Sequence, residues 1–454
     1  MTRMIAETDL TDILTDITQL IESNNQGALS NILIDLHPAD IAFLISQLKK
    51  DDRKYLFNLL PTETGSDVIT ELDPPIVEHL LSDISEKEIS ELVEEMDSDD
   101  AADIISDLPD DVADRVLDQV TDEVSEEVKE LLTYEEDTAG GIMALEFVSV
   151  GENSTVTEAI EAIRIAKEDM DSIYSIWVVD NNNRLTGSVS LTDLVLAHGK
   201  TSIQKIMTPD LHWVTTDVDQ EEVAIMFRKY DLVALPVVNI LNQLVGEITV
   251  DDIVDVLDEE IDEDISMMAG TNDEEIQEES FLKISWVRLP WLVIAFFGQI
   301  IAAFVIKSYE VSLQQVIALT FFMPVIMAMG GNSGIQSSTI VIRGLATGEI
   351  SLSNTKRRFF RELRVSLFIG LIFGISMAVI VGLWFNPIMG LMVGVALNLV
   401  ILQASLFGGI IPFILKRANI DPALASGPFI TTFNDILGLL IYLIILTVTI
   451  PMYV

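Results

Sequence analysis

Residues 422–450 read PALASGPFITTFNDILGLLIYLIILTVTI, a segment of 29 residues whose one charged side chain is Asp435. The segment is long and apolar enough to cross a bilayer. A carboxylate near the middle of a membrane costs about 2.5–3.5 kcal/mol on insertion scales, so it usually faces a water-filled path or a polar partner. The segment therefore predicts a membrane helix with a functional acid. The alternative is that Asp435 only pairs with another internal polar group.

The distribution of charge divides the chain into two unlike parts. Residues 1–280 hold 67 of the 72 acids and carry a net charge of −52, whereas residues 281–454 carry +6. The five acids of the second part are Glu310, Glu349, Glu362, Asp421 and Asp435. A strongly acidic soluble part joined to a membrane part with one buried acid predicts a membrane protein that handles cations.

Composition narrows the chemistry further. The chain has 454 residues, no cysteine and four scattered histidines, so we expect several domains and no thiolate metal site. Oxygen ligands then point to hard cations such as Mg²⁺ or Ca²⁺. The acidic surface would repel phosphates, so no nucleic-acid partner is expected. The N-terminal residues lack the apolar region of a signal peptide, which predicts that the soluble part stays in the cytoplasm.

A twelve-residue repeat runs through the first 130 residues. Its apolar positions are Leu36, Leu48, Leu60, Leu72, Ile84, Met96, Leu108 and Val120. Most are followed within two residues by Pro, Ser or Asp, which are frequent at helix starts. Each unit predicts one short helix, and stacked units predict an all-α helical-repeat domain over residues 1–130. The expected role is a scaffold, with direct binding as the alternative.

Residues 138–258 contain a tandem duplication. The strand–turn–strand–helix pattern of residues 176–195 recurs over 235–254, with Gly187 matching Gly246 and Asp193 matching Asp252. This is the pattern of paired CBS domains, an α/β fold, which we place at 138–200 and 201–258. Likeness at the level of a fold does not identify a ligand.

An acidic connecting helix and linker, residues 259–282, leads to a transmembrane domain at 283–454. We expect five apolar spans near residues 287–306, 312–343, 364–384, 388–415 and 423–450, the second tilted or broken near Gly330-Gly331. Basic residues are concentrated in the loops after spans two and four. The positive-inside rule places these loops and the soluble part in the cytoplasm and the C-terminus outside.

Two segments are candidates for an ion path beside Asp435. Residues 327–339, MAMGGNSGIQSST, combine small residues with Asn332, whose amide can supply an oxygen ligand. Residues 426–428, Ser-Gly-Pro, precede Asp435, and the missing proline N–H frees a backbone carbonyl one turn earlier. We expect Asn332, Gly427 and Thr431 to line the path. The alternative for the glycine-rich segment is helix packing. Mg²⁺ keeps several waters and binds through one or two carboxylates, which fits one acid per chain.

The cytoplasmic acids form a second candidate site. Runs of carboxylates occur near residues 97–103, 217–222, 251–255 and 258–264. Carboxylates about 5 Å apart at an effective dielectric near 20 repel by about 3 kcal/mol, so they would push domains apart unless divalent cations bridge them. Weak oxygen sites bind near 10⁻⁴–10⁻³ M, a range suited to sensing millimolar Mg²⁺. The alternative is a solvated acidic face.

Together these features resemble the MgtE family of Mg²⁺ channels and transporters. The resemblance covers nearly the whole chain. Its motifs are LHPAD (36–40), EEDTAGGIM (135–143), TVDDIVDVL (249–257), GGNSGIQSSTIVIRGLATGEI (330–350), DPALASGP (421–428) and NDILGLLIYL (434–443). The Gly-Gly-Asn segment and the Asp-Pro-Ala-Leu segment, in that order, are the most specific.

The resemblance implies a homodimer in the bilayer, with a pore between the two membrane domains and Asp435 as the pore aspartate. It also implies cytosolic Mg²⁺ ligands at Asp67, Asp99, Asp219, Glu221, Arg228 (through its carbonyl), Asp231, Asp252, Glu260, Glu263, Asp264 and Asp421. Some members bind ATP between their CBS domains. Ser175 and Leu232 replace aromatic residues there and Thr192 replaces an Arg, which weakens the case for ATP binding.

The sequence thus predicts a passive, Mg²⁺-selective importer of the cell membrane that closes when cytosolic Mg²⁺ is high. The chain lacks the phosphate-binding loop of an ATPase, and no enzymatic reaction is expected. One alternative is a transporter of Mn²⁺, Co²⁺ or Ca²⁺ on the same scaffold, because selectivity depends on geometry. The other is a membrane-anchored CBS nucleotide sensor.

Overall fold

The structure is a computed structural model that describes residues 7–82, 84–167, 170, 172–271, 280–352, 355–425 and 427–449. The chain divides into two compact units, Met1–Asp258 and Glu259–Val454. Helical repeats, two small sheets and long apolar helices follow one another, which confirms the expected fold class. Residues 272–279 of the expected acidic linker and Ser426 lie outside the described residues.

The twelve-residue repeat is confirmed in the first unit. Helices α1 (Glu7–Glu22) and α2 (Gln26–Leu33) precede eight short helices whose first residues are twelve positions apart. These are α3 (Pro38–Ser46), α4 (Lys50–Phe57), α5 (Thr62–Thr70), α6 (Pro74–Leu81), α7 (Glu86–Val93), α8 (Ser98–Ser106), α9 (Asp110–Leu117) and α10 (Asp122–Leu131). Pro38 and Pro74 occupy first positions, and Ser85 forms a capping box with Glu88, so the predicted start signals act as expected.

Helices two units apart pack against each other. Contacts join α3 to α5, α5 to α7 and α7 to α9, while α4 contacts α6 and α8 contacts α10. Their apolar faces form one core that includes Leu44, Ile69 and Ile89, each at most 2% exposed. A single helix of eight to ten residues is too short to be stable alone, so this stacking supplies the stability.

The duplicated region forms two sheets of equal topology. In the first, β1 (Ser149–Gly151) is parallel to β2 (Ser175–Val179), which is antiparallel to β3 (Leu185–Ser190). In the second, β4 (Val214–Thr215), β5 (Ala234–Val238) and β6 (Leu244–Thr249) repeat that order. The helices are α11 (Val156–Ala166), α12 (Leu191–Leu196), α13 (Gln220–Tyr230) and α14 (Val250–Ala269).

Equivalent residues of the two copies have equivalent environments. Asn183 and Asn242 both adopt φ of 59° in the strand-joining turns. Gly187 pairs with Val178, and Gly246 pairs with Val237. A methyl group at either glycine would lie within 3 Å of a backbone carbonyl oxygen, so both positions require glycine.

A hydrogen-bonded joint links the helical repeats to the duplicated region. The backbone N–H and the Oγ of Ser98, at the start of α8, donate to the Glu146 carboxylate at 3.2 and 2.7 Å. The Ser98 Oγ also accepts from the backbone N–H of Leu145 at 2.9 Å. Ser98 is 4% exposed, so these bonds are shielded from water.

The second unit contains five helices that are long and apolar enough to cross a membrane, as far as the described residues reach. They are α15 (Phe281–Ser308), α17 (Met323–Ala346), α18 (Thr355–Trp384), α19 (Pro387–Arg417) and α20 (Gly427–Thr449). The short helix α16 (Glu310–Gln315) and 3₁₀ turns at Ile317–Phe322 and Pro422–Ala425 join them. The five expected spans are therefore confirmed as helices.

Three details differ from the expectations. Helix α17 is continuous through Gly330-Gly331, and the irregular backbone lies earlier, at Ile317–Phe322, so the expected break was placed wrongly. The cluster of Arg residues after span two belongs to the first turns of α18, because long basic side chains reach polar surroundings without ending a helix. The last span begins at Gly427 instead of residue 423.

Glycines allow the spans to approach closely. A methyl group at Gly408 of α19 would lie 2.2 Å from the Gly334 carbonyl oxygen of α17, and one at Gly334 would lie 2.0 Å from the Asn434 Nδ2 of α20. These contacts lock α17 between α19 and α20. Gly334 therefore serves helix packing, whereas the path-lining role of Asn332 in the same segment stays a prediction.

The joint at Ser98 gives a stability prediction. Ser98→Ala removes two hydrogen bonds and leaves the N–H of the half-buried Leu145 without its partner, so we expect a loss of about 1 kcal/mol or more in local stability. Hydrogen–deuterium exchange of the full-length protein should become faster in residues 98–106 and around Leu145.

Ser106→Ala is the matched control, because the exposed Ser106 Oγ donates only to the Asp103 carbonyl of its own helix. Equal exchange in the Ser98 and Ser106 variants would contradict a structural role for the joint.

Candidate metal sites

Asp435 lies within α20, eight residues and about 12 Å beyond its first residue. It is 7% exposed, and its Oδ2 accepts a hydrogen bond of 2.7 Å from the Gln299 Nε2 of α15. Among the described residues, no cationic side chain forms an ion pair with it. A neutral amide orients a carboxylate but does not cancel its charge, so the charge remains available to a cation.

Two further amides, Asn434 beside it in α20 and Gln403 of α19, lie at this level of the helix bundle. Asn434 is fully buried, and its Oδ1 accepts from the Gln403 Nε2 of α19 at 3.2 Å. The Asn434 Nδ2 and the Gln403 Oε1 have no hydrogen-bond partner in the described part of the chain. Unpaired polar atoms in an apolar span are costly, so this level of the helix bundle calls for water or another polar group.

Three of the four residues expected along the ion path lie on one face of α20. Gly427, Thr431 and Asp435 are four residues apart, so they form a stripe along α20. The Thr431 Oγ1 donates to the Gly427 carbonyl at 2.8 Å. Asn332 lies elsewhere, on an exposed flank of α17, whereas its neighbour Gly331 faces Thr431. The chain thus aligns three of the four residues and holds the fourth on an adjacent surface.

The C-terminal end of α14 packs at the start of this stripe. Gly270 adopts φ of +75°, and a methyl group there would lie 3.1 Å from Pro428 and 3.2 Å from Trp291. The approach at Gly427 is closer still, since a methyl group there would lie 2.2 Å from the Met268 carbonyl oxygen. The connecting helix therefore ends against the first turn of α20.

A second acidic group forms where α8 meets the first turns of α14. Asp99 and Asp100 of α8 lie near Asp252 and Asp255 of α14, within the first unit. Thr249 fixes the Asp252 carboxylate, to which its backbone N–H and its Oγ1 donate at 3.0 and 2.7 Å. Ser190 and Asp193 form the same cap in the other copy, but no predicted ligand lies there.

Burial and mutual repulsion raise the pKa values in this group. Burial, followed by the charges of Asp252 and Asp100, raises the pKa of Asp99 well above its usual range. Burial and the charges of Asp97 and Asp252 raise the pKa of Asp100 to about 7. The pKa of Asp252 is raised by burial, against the effect of the Thr249 hydrogen bonds. Ionised carboxylates in this contact are therefore unfavourable unless a cation is present.

The other predicted ligands of the first unit are spread over the surface. Asp219 caps the start of α13 and binds the Glu221 N–H, whereas Asp231 ends that helix in the left-handed conformation with φ of 53°. Asp219 and Asp231 are about 18 Å apart along the axis, so they cannot ligate one ion. Arg228 lies in the last turn of α13, and Asp67 lies on the exposed side of α5.

The predicted ligands of the second unit lie on two segments. Glu260, Glu263 and Asp264 are on α14, before its contact with Gly427. The exposed Asp421 accepts from the Ala423 N–H at 2.8 Å in the turn before α20. Within the described residues, no three His, Asp or Glu side chains converge on one point as metal ligands. The donors present fit Mg²⁺ ions that keep most of their waters and contact one or two carboxylates each.

Several participants were not predicted. Gln299 holds Asp435, and a lone glutamine in an apolar span gave little sign of that role. Glu71 raises the pKa values of Asp100 and Asp255, although it lies in a different repeat. The buried Glu247 accepts from the Trp177 Nε1 across the two copies, and burial raises its pKa to about 7. Such contacts depend on tertiary packing that spacing does not reveal.

Family models match four ranges of the chain between residues 36 and 445. A model described as "Divalent cation transporter", MgtE, matches residues 323–445. The MgtE intracellular N domain matches residues 36–137, and CBS domains match residues 139–199 and 203–259.

Two curated relatives are similar over almost their full lengths, and a third is similar over about two thirds of its length. The magnesium transporter MgtE of Thermus thermophilus is 36% identical over 94% of this chain and 96% of its own length. The Bacillus subtilis protein of the same name is 34% identical over 97% of this chain and 98% of its own. The Enterococcus faecalis protein is 39% identical over 69% of each.

Solved structures match the soluble part. The crystal structure of the cytosolic domain of the Mg²⁺ channel MgtE in complex with ATP has a TM-score of 0.51 and 36% identity, and covers 54% of this chain and 99% of that one. The soluble part of a magnesium transporter has a TM-score of 0.50 and 30% identity, and covers 55% of this chain and 99% of that one.

The acidic group gives a prediction on pH. Folded-state pKa values above the usual carboxyl range mean that the contact between α8 and α14 is favoured by protonation. Its stability is greatest below about pH 4 and falls as pH rises through about 7. Without Mg²⁺, raising the pH from about 5.5 to 8 should separate the helical repeats from the duplicated region.

Spin labels at Asp118→Cys and Asn181→Cys would measure this distance, since the chain has no native cysteine. In Asp99→Asn/Asp100→Asn/Asp252→Asn the distance should no longer change with pH. A pH-independent distance in the parent protein would disprove the electrostatic account.

Proposed function

The chain belongs to the MgtE family of divalent cation transporters, and Mg²⁺ is the ion that it transports; we propose that Asp435 is the fixed anion of a passive, channel-like path. One observation carries the proposal. Asp435 is a buried carboxylate in an apolar helix, oriented by Gln299 and not neutralised by a cation of the described chain. Because a charge in such a place is costly, its retention is explained best by a cation that binds there.

The path would be completed by a second copy of the chain. One carboxylate with its surrounding amides supplies too few ligands for a dehydrated ion, but two carboxylates related by a two-fold axis would hold a hydrated Mg²⁺. The exposed position of Asn332 suits this arrangement, since a path between two subunits is lined from the surface of each. We therefore propose a homodimer in the cell membrane.

The topology follows from charge. The basic residues at one end of α17, α18 and α19 support a topology in which that end and the soluble part are cytoplasmic and the C-terminus is outside. The proposed domains are the helical repeats (1–130), the CBS pair (138–200 and 201–258), the connecting helix and linker (259–282) and the transmembrane domain (283–454).

Gating would depend on the acids of the soluble part. At low cytosolic Mg²⁺ the repelling carboxylates of α8 and α14 hold the domains apart. At high Mg²⁺, hydrated ions bridge them and bring the helical repeats, the CBS pair and α14 together. Since α14 ends against Gly427, at the start of the Asp435 stripe, its movement would change access to the path.

The alternative functions differ in the ion that is transported and in whether a nucleotide is bound. Mg²⁺ acts as cargo and regulator, and the proposal needs no catalysed reaction. A related cytosolic domain binds ATP in its crystal structure. Here Ser175 belongs to β2 and Leu232 follows α13, and neither offers an aromatic ring for stacking on a base, so a nucleotide sensor is the weaker candidate. Uptake of Mg²⁺, Mn²⁺, Co²⁺ and Ca²⁺ into protein-containing liposomes, with and without ATP, would distinguish these functions.

The first functional prediction concerns the path. Asp435→Ala should abolish Mg²⁺ uptake into liposomes while leaving a folded protein, because it removes the fixed charge. Asp435→Asn should be nearly as severe, since an amide binds Mg²⁺ far less well than a carboxylate. Gln299→Ala should reduce uptake less, because the charge remains. Full uptake by Asp435→Ala would refute the assignment.

The second concerns the gate. Asp252→Asn/Glu260→Gln/Asp264→Asn removes ion ligands and also removes repulsion. We expect the loss of bridging to dominate near the path, so that currents persist at cytosolic Mg²⁺ concentrations that close the parent channel. Closure without Mg²⁺ would instead mean that repulsion dominates. Patch-clamp recording against internal Mg²⁺ decides, with Asp193→Asn as the control at the equivalent cap of the other CBS domain.

A further inference from the structure

A cationic cavity lies where α17 ends and α18 begins. Its volume is about 330 Å³, and it is lined by Glu349, Ile350, Arg357, Arg358, Arg361 and Arg364. Arg357, Arg361 and Arg364 follow the spacing of one helix face, and Arg358 lies beside them. Among the described residues, four arginines and one carboxylate, that of Glu349, thus line one small space.

These charges form no ion pair within the described part of the chain. None of the four arginines forms an ion pair with a described residue, and the Arg364 Nε donates only to the Phe360 carbonyl of its own helix, at 3.1 Å. The Arg358 Nε is buried without a hydrogen-bond partner among the described residues. Clustered like charges with a buried, unpaired donor call for an anion.

Membrane topology alone does not account for the cluster. A cytoplasmic loop needs basic residues near the membrane, and Lys356 and Arg343 supply such charge without lining the cavity. The positive-inside rule does not require arginine in preference to lysine. It also does not require that the basic side chains line one common cavity. Guanidinium groups bind phosphate oxygens through two parallel hydrogen bonds, a geometry that lysine cannot provide.

We propose that this cavity binds the phosphate group of an anionic phospholipid. It lies at the ends of two spanning helices, the depth of lipid headgroups. The N-terminal turn of α18 adds its partial positive charge. Exposed apolar side chains flank the arginines, including Leu352 and Phe360, which are 47% and 58% exposed and suit the glycerol and acyl region. The volume is at the small end of ligand sites, enough for a headgroup.

Free phosphate shares this chemistry, but the apolar flank favours the lipid. An inorganic ion would gain nothing from Leu352 and Phe360, whereas a lipid would bind the arginines and the apolar surface together. The site would couple the cytoplasmic ends of α17 and α18 to the surrounding anionic lipid.

The test uses the purified full-length protein in neutral detergent. Its thermal unfolding is measured alone and with added phosphatidylglycerol, phosphatidylcholine or inorganic phosphate. Phosphatidylglycerol should raise the unfolding temperature by about 3 °C, and the other two should have little effect. The shift should disappear in Arg357→Gln/Arg361→Gln, which alters two exposed cavity residues, and should be reduced in Arg357→Lys/Arg361→Lys.

The matched control is Arg343→Gln/Lys356→Gln, which removes the same charge nearby and should keep the full shift. If the control variant lost the temperature shift equally, the lipid effect would be due to general electrostatic attraction, and the proposed binding site would be wrong. An equal shift from inorganic phosphate, also lost in the cavity variant, would overturn the lipid assignment in favour of a soluble anion. Mg²⁺ uptake by the cavity variant is measured separately, so this result is independent of the Asp435 path.

Discussion

The structure of this molecule depends on carboxylates that lie close together or are buried, with no Lys or Arg side chain of the described residues paired to them. In the first unit, burial and repulsion act together on Asp99, Asp100 and Asp252, and hydrogen bonds from Thr249 only partly offset them. In the second, a single amide holds Asp435. Neither arrangement is favourable in isolation. Both become favourable when a mobile divalent ion supplies the missing charge, so the same physical deficit underlies the proposed transport and the proposed regulation.

The transport acid and the regulatory acids differ in how rigidly the surrounding structure holds them. Asp435 belongs to a tightly packed helix bundle, where glycines at 334 and 408 leave no room for adjustment, so its position is fixed. Asp99 and Asp252 belong to separate elements, α8 and α14, whose contact is accompanied by the hydrogen bonds of Ser98 with Glu146 and Leu145. A rigid acid provides a defined binding point, whereas acids on separable elements convert ion binding into movement. Helix α14 belongs to both units, since its first turn holds Asp252 and its last turn lies against Gly427.

Much of the fold could be predicted because its signals are periodic. The twelve-residue spacing, the matched residues of the two copies and the apolar spans each repeat a local rule, and the structure follows them. The contacts around the candidate metal sites could be predicted less well from the sequence. Gln299 and Glu71 approach their partners through tertiary packing, with no fixed spacing in the chain. The length of the second span predicted that it is tilted or broken near Gly330-Gly331, but α17 is continuous there, because close packing between spans compensates for the low helix propensity of glycine.

The regular start of helices α3 to α10 also constrains how this region can change in length. Each helix and its turn use twelve residues, and each helix packs on the helix two units away. A deletion of twelve residues would exchange the two rows of helices beyond it, whereas a deletion of twenty-four would keep every later helix in its own row. Shorter insertions would rotate the apolar face of one helix away from the core. Evolution of the repeat region is therefore expected to proceed in steps of helix pairs, with intermediate lengths confined to the segment between α10 and β1.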